Sequence, residues 1–177
     1  MSLAGKKVVL GITGGIAAYK TPDLVRKLTA QGAIVRVILT DSATHFVSEL
    51  SLQAVSGHPV STDLLDPTAE AAMGHIELAK WADILLIAPA TANTLAKLAN
   101  GIADDLLTTL FLATTAQVVI APAMNQQMWK AMPTQANINR VQQYGAFLVG
   151  PADGEQACGD VGPGRMLEPE AIVESLM

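Results

Sequence analysis

The sequence is poor in cysteine and in aromatic side chains. Cys158 is the only cysteine among 177 residues, and Phe, Trp and Tyr together make up 4% of the chain. One cysteine excludes an internal disulfide framework, and no cluster of Cys and His has the spacing of metal ligands, so no metal site is predicted. A chain that needs no disulfide is expected in a reducing compartment, and we predict a cytoplasmic location.

Positive charge is also scarce. The formal net charge is −5 and the basic residues form no run, which argues against a nucleic-acid partner. Residues 106–129 carry no charge and are long enough to suggest a membrane span, but Gln117, Pro122 and Asn125 interrupt them. This pattern favours a helix followed by a buried strand, and no membrane partner is predicted. The basic and then apolar start resembles a signal peptide, but its glycines favour a strand, a turn and a helix.

Half of the residues are hydrophobic, and their distribution predicts an α/β fold. Strands that alternate with helices indicate a parallel sheet covered on both faces. We therefore predict a single α/β domain over residues 1–177, a three-layer sandwich with a parallel sheet of Rossmann or flavodoxin type. The mean hydropathy of +0.36 suggests that some apolar surface is buried against other subunits. Short apolar runs predict strands at 6–12, 33–40, 82–90, 117–123 and 145–150, and helical patterns fall at 16–31, 42–50, 76–81, 94–112, 133–144 and 169–176.

In such folds ligands bind at the carboxyl ends of the strands, so the segments after each strand are the candidate site. The glycine turn at 11–20 precedes a helix and suits an anion, although its spacing departs from the dinucleotide fingerprint and a plain tight turn is the alternative. Thr40 and Ser42 offer hydroxyls to a phosphate, whereas Asp41 would suit the ribose of a dinucleotide. Capping of the next helix explains any one of these three residues equally well.

Small polar residues also follow the third and fourth strands. The run Thr91–Thr94 suits an anion or an amide, and helix capping explains only one of its members. Asp104 and Asp105 are interpreted as the start of a helix rather than as an acid–base pair. Asn125 donates and accepts hydrogen bonds at the mouth of the sheet, and ligand binding and helix capping stay equally open for it.

Cys158 lies in a glycine-rich segment, about residues 151–168, after the fifth strand. The glycines predict a mobile loop, a lid that closes over a substrate and carries the thiol with it, and an ordinary surface loop is the alternative. His75 starts a short amphipathic helix before the third strand, from which it is expected to reach the ligand as a base or as a carboxylate partner. No G-x-S-x-G element supports a serine triad.

Five segments together resemble the flavin-containing cysteine decarboxylases, and within them the phosphopantothenoylcysteine decarboxylases of bacteria. The resemblance covers nearly the whole chain and keeps the order of that family. PAMN combined with ACGD-x-G-x-GRM and an upstream HIEL is highly specific. The segments are GGIAAYK (14–20), MGHIELAKWAD (73–83), PATANTLAKLANGIADDLLT (89–108), PAMNQQMW (122–129) and QACGDVGPGRM (156–166).

The resemblance implies FMN as the cofactor. His75, Asn125 and Cys158 would be the catalytic residues, with Cys158 on a substrate flap that acts late in the reaction. Ala123, Met124 and Asn125 would bind the carboxylate and the amide of the substrate. The implied phosphate contacts are Gly14, Gly15, Ile16, Thr40 and Ser42, and the implied flavin contacts are Thr91, Ala92, Asn93, Thr94 and Ala123.

The function implied by the resemblance is the FMN-dependent decarboxylation of 4′-phosphopantothenoylcysteine to 4′-phosphopantetheine in coenzyme A biosynthesis, by transient oxidation of the substrate thiol. Family members form homotrimers, or dodecamers built from trimers, with active sites at subunit contacts. The bifunctional members also carry a C-terminal synthase domain, which this sequence lacks. The chain is therefore expected to be either a fragment of a bifunctional protein or a monofunctional enzyme, with decarboxylase activity alone. The alternatives are a non-catalytic FMN-binding regulatory relative, a peptidyl-cysteine decarboxylase and a flavin prenyltransferase of the same fold.

Overall fold

The computed structural model of the protein describes residues 2–64 and 74–177. A central sheet of five parallel strands runs in the order β2-β1-β3-β4-β5. Each strand lies within a segment predicted as a strand, although the last one uses only part of residues 145–150. The strands are β1 (Lys7–Ile12), β2 (Ile34–Leu39), β3 (Ile84–Ala90), β4 (Gln117–Pro122) and β5 (Phe147–Leu148).

Helices cover both faces of the sheet. Alternate strand residues point to opposite faces, so Val8 and Leu10 join one core cluster with α1, α2 and α8. Val9 joins a second cluster with α3, α4, α5 and α7. The predicted three-layer sandwich is therefore confirmed. The helices are α1 (Thr21–Ala30), α2 (Glu49–Ser56), α3 (His75–Trp81), α4 (Ala92–Asn100), α5 (Leu106–Ala113), α6 (Gln126–Lys130), α7 (Met132–Gln143) and α8 (Pro169–Ser175), with short 3-10 helices at Ile16–Lys20 and Asp41–His45.

The prediction of one helical stretch over residues 94–112 is wrong. Helix α4 is ended by its C-cap residue Gly101, whose φ of +67° suits glycine. The chain then begins α5 at Asp105, whose side chain accepts from the backbone N–H of Thr108 in a capping box. The interpretation of Asp105 as a helix start is thus confirmed. Two local signals, a left-handed glycine and a capping carboxylate, outweigh the continuous apolar pattern.

Residues 106–129 form α5 followed by β4, which is the arrangement predicted in place of a membrane span. In the part of the chain that the structure describes, no helix has the length and apolar character needed to cross a bilayer.

The glycine-rich segment after β5, which was predicted as a mobile loop, contains regular secondary structure. Two antiparallel strands, β6 (Ala152–Glu155) and β7 (Val161–Arg165), form a hairpin. The tip is closed by backbone bonds from Gln156 N to Asp160 O (2.7 Å) and from Gly159 N to Gln156 O (2.8 Å). The segment is thus a regular ribbon with Cys158 at its tip.

Candidate active site

A cavity of about 770 Å³ lies at the carboxyl edge of the sheet, where the segments after the strands meet the hairpin. The structure brings most of the predicted site residues together in its lining. Thr40, Thr94 and His75 are not among the described residues that line it. The predicted residues that do are Gly14, Gly15, Ile16, Ser42, Thr91, Ala92, Asn93, Ala123, Met124, Asn125 and Cys158.

One side of the cavity, which we call the sheet wall, consists of the segments that follow β1, β2 and β3. The fully buried Thr13 ties two of these segments together. Its hydroxyl donates to Pro89 O at 2.5 Å and accepts from the backbone N–H of Thr91 at 3.0 Å. The sequence analysis missed Thr13, although its place between the first strand and the glycines was a usable signal.

Gly14 lets the segment after β2 lie close against the glycine turn. A Cβ built on Gly14 would overlap the hydroxyl and Cβ of Ser42. Thr40 lies behind Ser42, buried, with the two hydroxyl oxygens 3.4 Å apart. The adjacent 3-10 helix begins with the bond from Ala18 N to Gly15 O, which leaves the N–H groups of its first residues without an internal acceptor. Hydroxyl and N–H donors therefore face one small space, which suits a phosphate.

Thr91 and Thr94 have different structural roles at the start of α4. The Thr91 side chain caps the helix by accepting from Thr94 N at 3.2 Å, and its hydroxyl donates to Thr94 Oγ1 at 3.2 Å. Thr94 is buried beneath it, whereas Ala92 and Asn93 face the cavity. Capping explains Thr91 and, as predicted, not the whole run.

The opposite side, the hairpin wall, consists of β6, β7 and the tip between them. It is docked on the segment after β4 by a backbone bond from Met124 N to Gly164 O at 2.9 Å. A Cβ on Gly164 would overlap Met124 O, and the φ of Gly164 is +141°. Only glycine permits this approach, so the glycines of the segment serve close docking as well as chain freedom.

Asn125 uses both ends of its side chain: helix capping is confirmed, and ligand binding stays a prediction. Its Oδ1 accepts from the backbone N–H of Gln127 at 2.8 Å and caps α6. Its Nδ2 faces the hairpin tip, with Asp160 Oδ2 at 2.9 Å, Gln156 Oε1 at 3.4 Å and Cys158 Sγ at 3.5 Å. Asn125 therefore joins the sheet to the exposed thiol.

Gln156 is a site residue that the sequence analysis missed. Its Oε1 accepts from the backbone N–H of Gln126 at 3.0 Å, and its Nε2 donates to Pro163 O at 3.1 Å. One side chain thus fastens the hairpin tip both to α6 and to the second strand of the hairpin. Its position directly before the ACGD sequence was the available signal.

Two cations also line the cavity without having been predicted. Lys20 Nζ lies 2.6 Å from Glu168 Oε1, and Arg165 Nη2 lies 3.2 Å from the same oxygen. The Lys20 side chain is only 13% exposed. Glu168 therefore links the end of the glycine turn to the base of the hairpin. The basic ends of GGIAAYK and GPGR were the usable signals.

His75 is the predicted catalytic residue that the fold does not bring into the cavity. It begins α3 behind the capping residue Gly74 and is half-buried. Met73, which precedes them in the MGHIELAKWAD segment, lies outside the described residues.

A second cavity, of about 740 Å³, lies at the amino end of β4 between α4, α5 and α7. Arg140 and Tyr144 line it, bonded to Asn100 Oδ1 and Ala99 O respectively. It contains none of the predicted site residues. In residues 2–64 and 74–177 no group of three His, Cys, Asp or Glu side chains is placed to hold a metal ion.

A glycine turn and hydroxyls at the carboxyl edge of a parallel sheet define a class of protein that binds the phosphate of a nucleotide-like ligand. The chain matches the family described as Flavoprotein over residues 1–177 and belongs to that family.

Similar proteins carry the likeness further. The coenzyme A biosynthesis bifunctional protein CoaBC of Escherichia coli (strain K12) is 61% identical over 174 residues, which are 98% of this chain and 43% of that protein. CoaBC of Vibrio cholerae is 62% identical over 172 residues, 97% of this chain and 43% of that protein. The chain therefore spans less than half the length of these relatives.

Solved structures show the same fold. A PPC decarboxylase mutant complexed with pantothenoylaminoethenethiol is 35% identical, with a TM-score of 0.85 over 97% of this chain and 96% of that chain. The FMN binding protein AtHal3 is 36% identical, with a TM-score of 0.82 over 97% and 94%. These likenesses confirm the flavodoxin-like single domain.

Proposed function

We propose that the chain catalyses the FMN-dependent decarboxylation of 4′-phosphopantothenoylcysteine to 4′-phosphopantetheine in coenzyme A biosynthesis, as a carboxy-lyase. The observation that carries the proposal is one cavity whose lining combines the glycine turn and Ser42 with Asn125 and the Cys158 thiol. The names of the CoaBC relatives and of the PPC decarboxylase structure support the same reaction.

The sheet wall fits FMN. Gly14 lets the Ser42 side chain lie directly against the glycine turn, where a Cβ would collide with it, so the Ser42 hydroxyl and the N–H groups of the turn are close enough to share one phosphate. Gly14, Gly15, Ile16 and Ser42 would hold the phosphate, with Thr40 orienting Ser42 from behind. Ala92, Asn93 and Ala123 would contact the flavin, and Thr91 and Thr94 would fix the start of α4 beneath it.

Loss of CO₂ from a cysteine carboxyl leaves a carbanion that needs an electron sink. The substrate's amino group is tied up in an amide, so a Schiff base is not available and the thiol is the usable handle. FMN, when bound, supplies reversible two-electron oxidation of that thiol end, which leaves no net oxidation.

The protein supplies orientation and proton control. Asn125 Nδ2 is a donor for the substrate carboxylate, and the neighbouring Ala123 and Met124 position the amide. Cys158 is carried to the same place by the hairpin, and a positioned thiol can act as a general acid. We assign Cys158 the delivery of a proton to the enethiolate that CO₂ loss leaves behind.

In this proposal the chain forms a homotrimer, or a dodecamer built from trimers. His75 of one copy completes the site of a neighbouring copy. The support is its position outside the cavity of its own chain, together with exposed apolar side chains around the cavity mouth. Ile16, Tyr19 and Met128 are 59%, 62% and 49% exposed. Mixing His75→Asn chains with Cys158→Ser chains, neither of which is expected to form 4′-phosphopantetheine alone, tests this. A shared site restores part of the 4′-phosphopantetheine formation, and a site within one chain restores none.

The proposal concerns the decarboxylase reaction alone, because the relatives are bifunctional and the chain spans 43% of their length. A synthase domain that uses CTP would be a separate part of the whole protein. We also place the reaction in the cytoplasm, because the Cys158 thiol has to stay reduced.

The test is CO₂ release from 4′-phosphopantothenoylcysteine by purified protein loaded with FMN. Stoichiometric CO₂ and 4′-phosphopantetheine are expected from yellow protein. Yellow protein without CO₂ would indicate a regulatory FMN binder, and CO₂ from a peptide with a C-terminal cysteine but not from this substrate would indicate a peptidyl-cysteine decarboxylase. Colourless protein that does not bind FMN at micromolar concentration would overturn the proposal.

A further inference from the structure

The hairpin places a carboxylate on the amide that is proposed to receive the carboxylate of the substrate. Asp160 Oδ2 is 2.9 Å from Asn125 Nδ2, closer than Gln156 Oε1 at 3.4 Å or Cys158 Sγ at 3.5 Å. An amide nitrogen has two hydrogens to donate. Three acceptors already surround this nitrogen, so a substrate carboxylate can bind it only if one of them leaves.

Asp160 is the acceptor that a substrate carboxylate would replace. The two groups have the same shape and charge, and two carboxylates on one donor repel each other. Gln156 has other partners, the backbone N–H of Gln126 and Pro163 O. It therefore stays in place when Asp160 is displaced.

The hairpin can remain docked after this exchange. The backbone bond from Met124 N to Gly164 O and the bond from Gln126 N to Gln156 Oε1 do not involve the Asp160 side chain. The tip keeps its shape through the bond from Gln156 N to the backbone oxygen of Asp160. Only an exposed side chain has to turn, and it turns towards water.

We propose that Asp160 is a specificity-determining residue: its carboxylate occupies the substrate-carboxylate position on Asn125 in the ligand-free protein, and a substrate must displace it. Asp160 then returns to Asn125 after CO₂ has left, which favours product release. A ligand without a carboxylate leaves Asp160 in place. This inference rests on the proposed function.

A pair of ligands that differ by one carboxylate tests the inference. 4′-Phosphopantothenoyl-alanine carries the carboxylate but no thiol, so it is not turned over, and 4′-phosphopantothenoyl-ethylamine lacks both. Calorimetry with FMN-loaded protein gives the Kd of each ligand. Asp160→Asn leaves an acceptor oxygen but removes its charge, so it replaces a charge-assisted hydrogen bond by a weaker neutral one. We expect this variant to bind the alanine ligand about threefold to tenfold tighter, the difference between two such bonds, and the ethylamine ligand within about twofold of the wild type.

Glu155→Gln is the matched control for charge. Glu155 lies on the same hairpin and lines the same cavity. The described hydrogen bonds of Asn125 Nδ2 go to other residues, Gln156, Cys158 and Asp160. Removal of the Glu155 charge changes long-range attraction of an anionic ligand without freeing Asn125. The gain in Asp160→Asn must exceed that in Glu155→Gln, and equal gains in the two variants would overturn the inference.

Further outcomes separate this inference from the proposed function. Suppose that wild-type protein releases CO₂ from 4′-phosphopantothenoylcysteine, but Asp160→Asn changes the Kd of both ligands by the same factor. Then only the inference is wrong. If wild-type protein releases no CO₂, the proposed function is wrong. Bound-flavin absorbance verifies that Asp160→Asn is folded, and Asp160→Ser, measured in the same way, replaces it if the flavin is lost.

Discussion

The two walls of the cavity are held in different ways. The sheet wall is fixed by buried contacts, such as the bonds of the Thr13 hydroxyl to Pro89 O and Thr91 N. The hairpin wall is held at its base by the backbone bond at Gly164 and by the ion pairs of Glu168, and at its tip by side-chain hydrogen bonds that water can reach. Each such exposed bond contributes only about 1 kcal/mol net. We therefore expect the sheet wall to keep its shape when the cofactor binds and the hairpin wall to move when the substrate binds.

The largest expected effect is at the tip of the hairpin wall. Cys158→Ser should lower formation of the saturated product by about 100-fold or more, the usual contribution of a positioned acid, while CO₂ release stays within a few-fold. Parallel measurement of CO₂ and of 4′-phosphopantetheine tests this. Val161→Thr changes the same hairpin without touching the thiol and should leave both rates unchanged. Normal yield of saturated product from Cys158→Ser would disprove the proton-donor role.

The next effect is on the sheet wall. In Gly14→Ala the new Cβ would collide with the Ser42 side chain, and such overpacking costs about 1–3 kcal/mol. FMN should therefore bind about tenfold to 100-fold more weakly, measured by quenching of flavin fluorescence.

Gly57→Ala is the control for that variant. Gly57 has a φ of +72° and nothing within 4 Å of a built Cβ, so the change costs about 1 kcal/mol of folding stability without crowding the cavity. FMN affinity should stay that of the wild type. If both variants lose FMN equally, the effect of Gly14→Ala reflects general destabilisation.

A smaller effect is expected where the hairpin docks. Gly164→Ala would place a Cβ against Met124 O and weaken the bond that closes the cavity. We expect KM for the substrate to rise about tenfold, an overpacking cost near the low end of the usual range, with FMN affinity within twofold. Steady-state kinetics and flavin titration measure the two. Equal losses in both would mean that the walls are not independent.

The smallest effect concerns the far end of α4. Lys97 pairs with Asp104 and Asp105 at 2.8 and 3.7 Å, and the hydrogen bond to Asp104 is the main reason that the Lys97 pKa is raised. Because the folded-state pKa is the higher one, this stabilisation is present at neutral pH and is lost as the pH rises through the folded-state pKa above about 10.5.

Lys97→Met should therefore lower stability at pH 7 by less than about 1 kcal/mol, as for exposed ion pairs, and the difference should shrink at alkaline pH. Urea denaturation at both pH values measures it. CO₂ release should not change, and a clear loss of activity would show that the α4–α5 connection acts on the sheet wall.

The sheet was predictable because its signal is local. Each buried strand is a short apolar run, and the alternation of strands with helices indicates that the strands are parallel. The division of residues 94–112 was less accessible, because the apolar pattern continues across Gly101 and the capping role of Asp105 depends on its pairing with Thr108. Local geometry overrode a periodicity that by itself indicates one helix.

The site was only partly predictable for a similar reason. The glycine turn, Asn125 and Cys158 stand out by composition and by their place after strands. Gln156 and Asp160 act through partners more than 30 residues away in sequence. Their place in or beside the ACGD sequence marks them as candidates, but no local pattern identifies the partner. The position of His75 outside the cavity was not predicted, because the helical pattern places His75 at a helix start but does not show which part of the sheet edge that start faces.

Both ends of the hairpin are anchored in the same core. Val149 packs on the cluster of α1 and α8 before the hairpin, and the buried Met166 belongs to that cluster after it. We therefore expect that the segment between them can be replaced without disturbing that core. Grafting the corresponding ribbon of a decarboxylase with another cysteine-containing substrate should transfer substrate choice while leaving flavin occupancy and thermal stability nearly as they were.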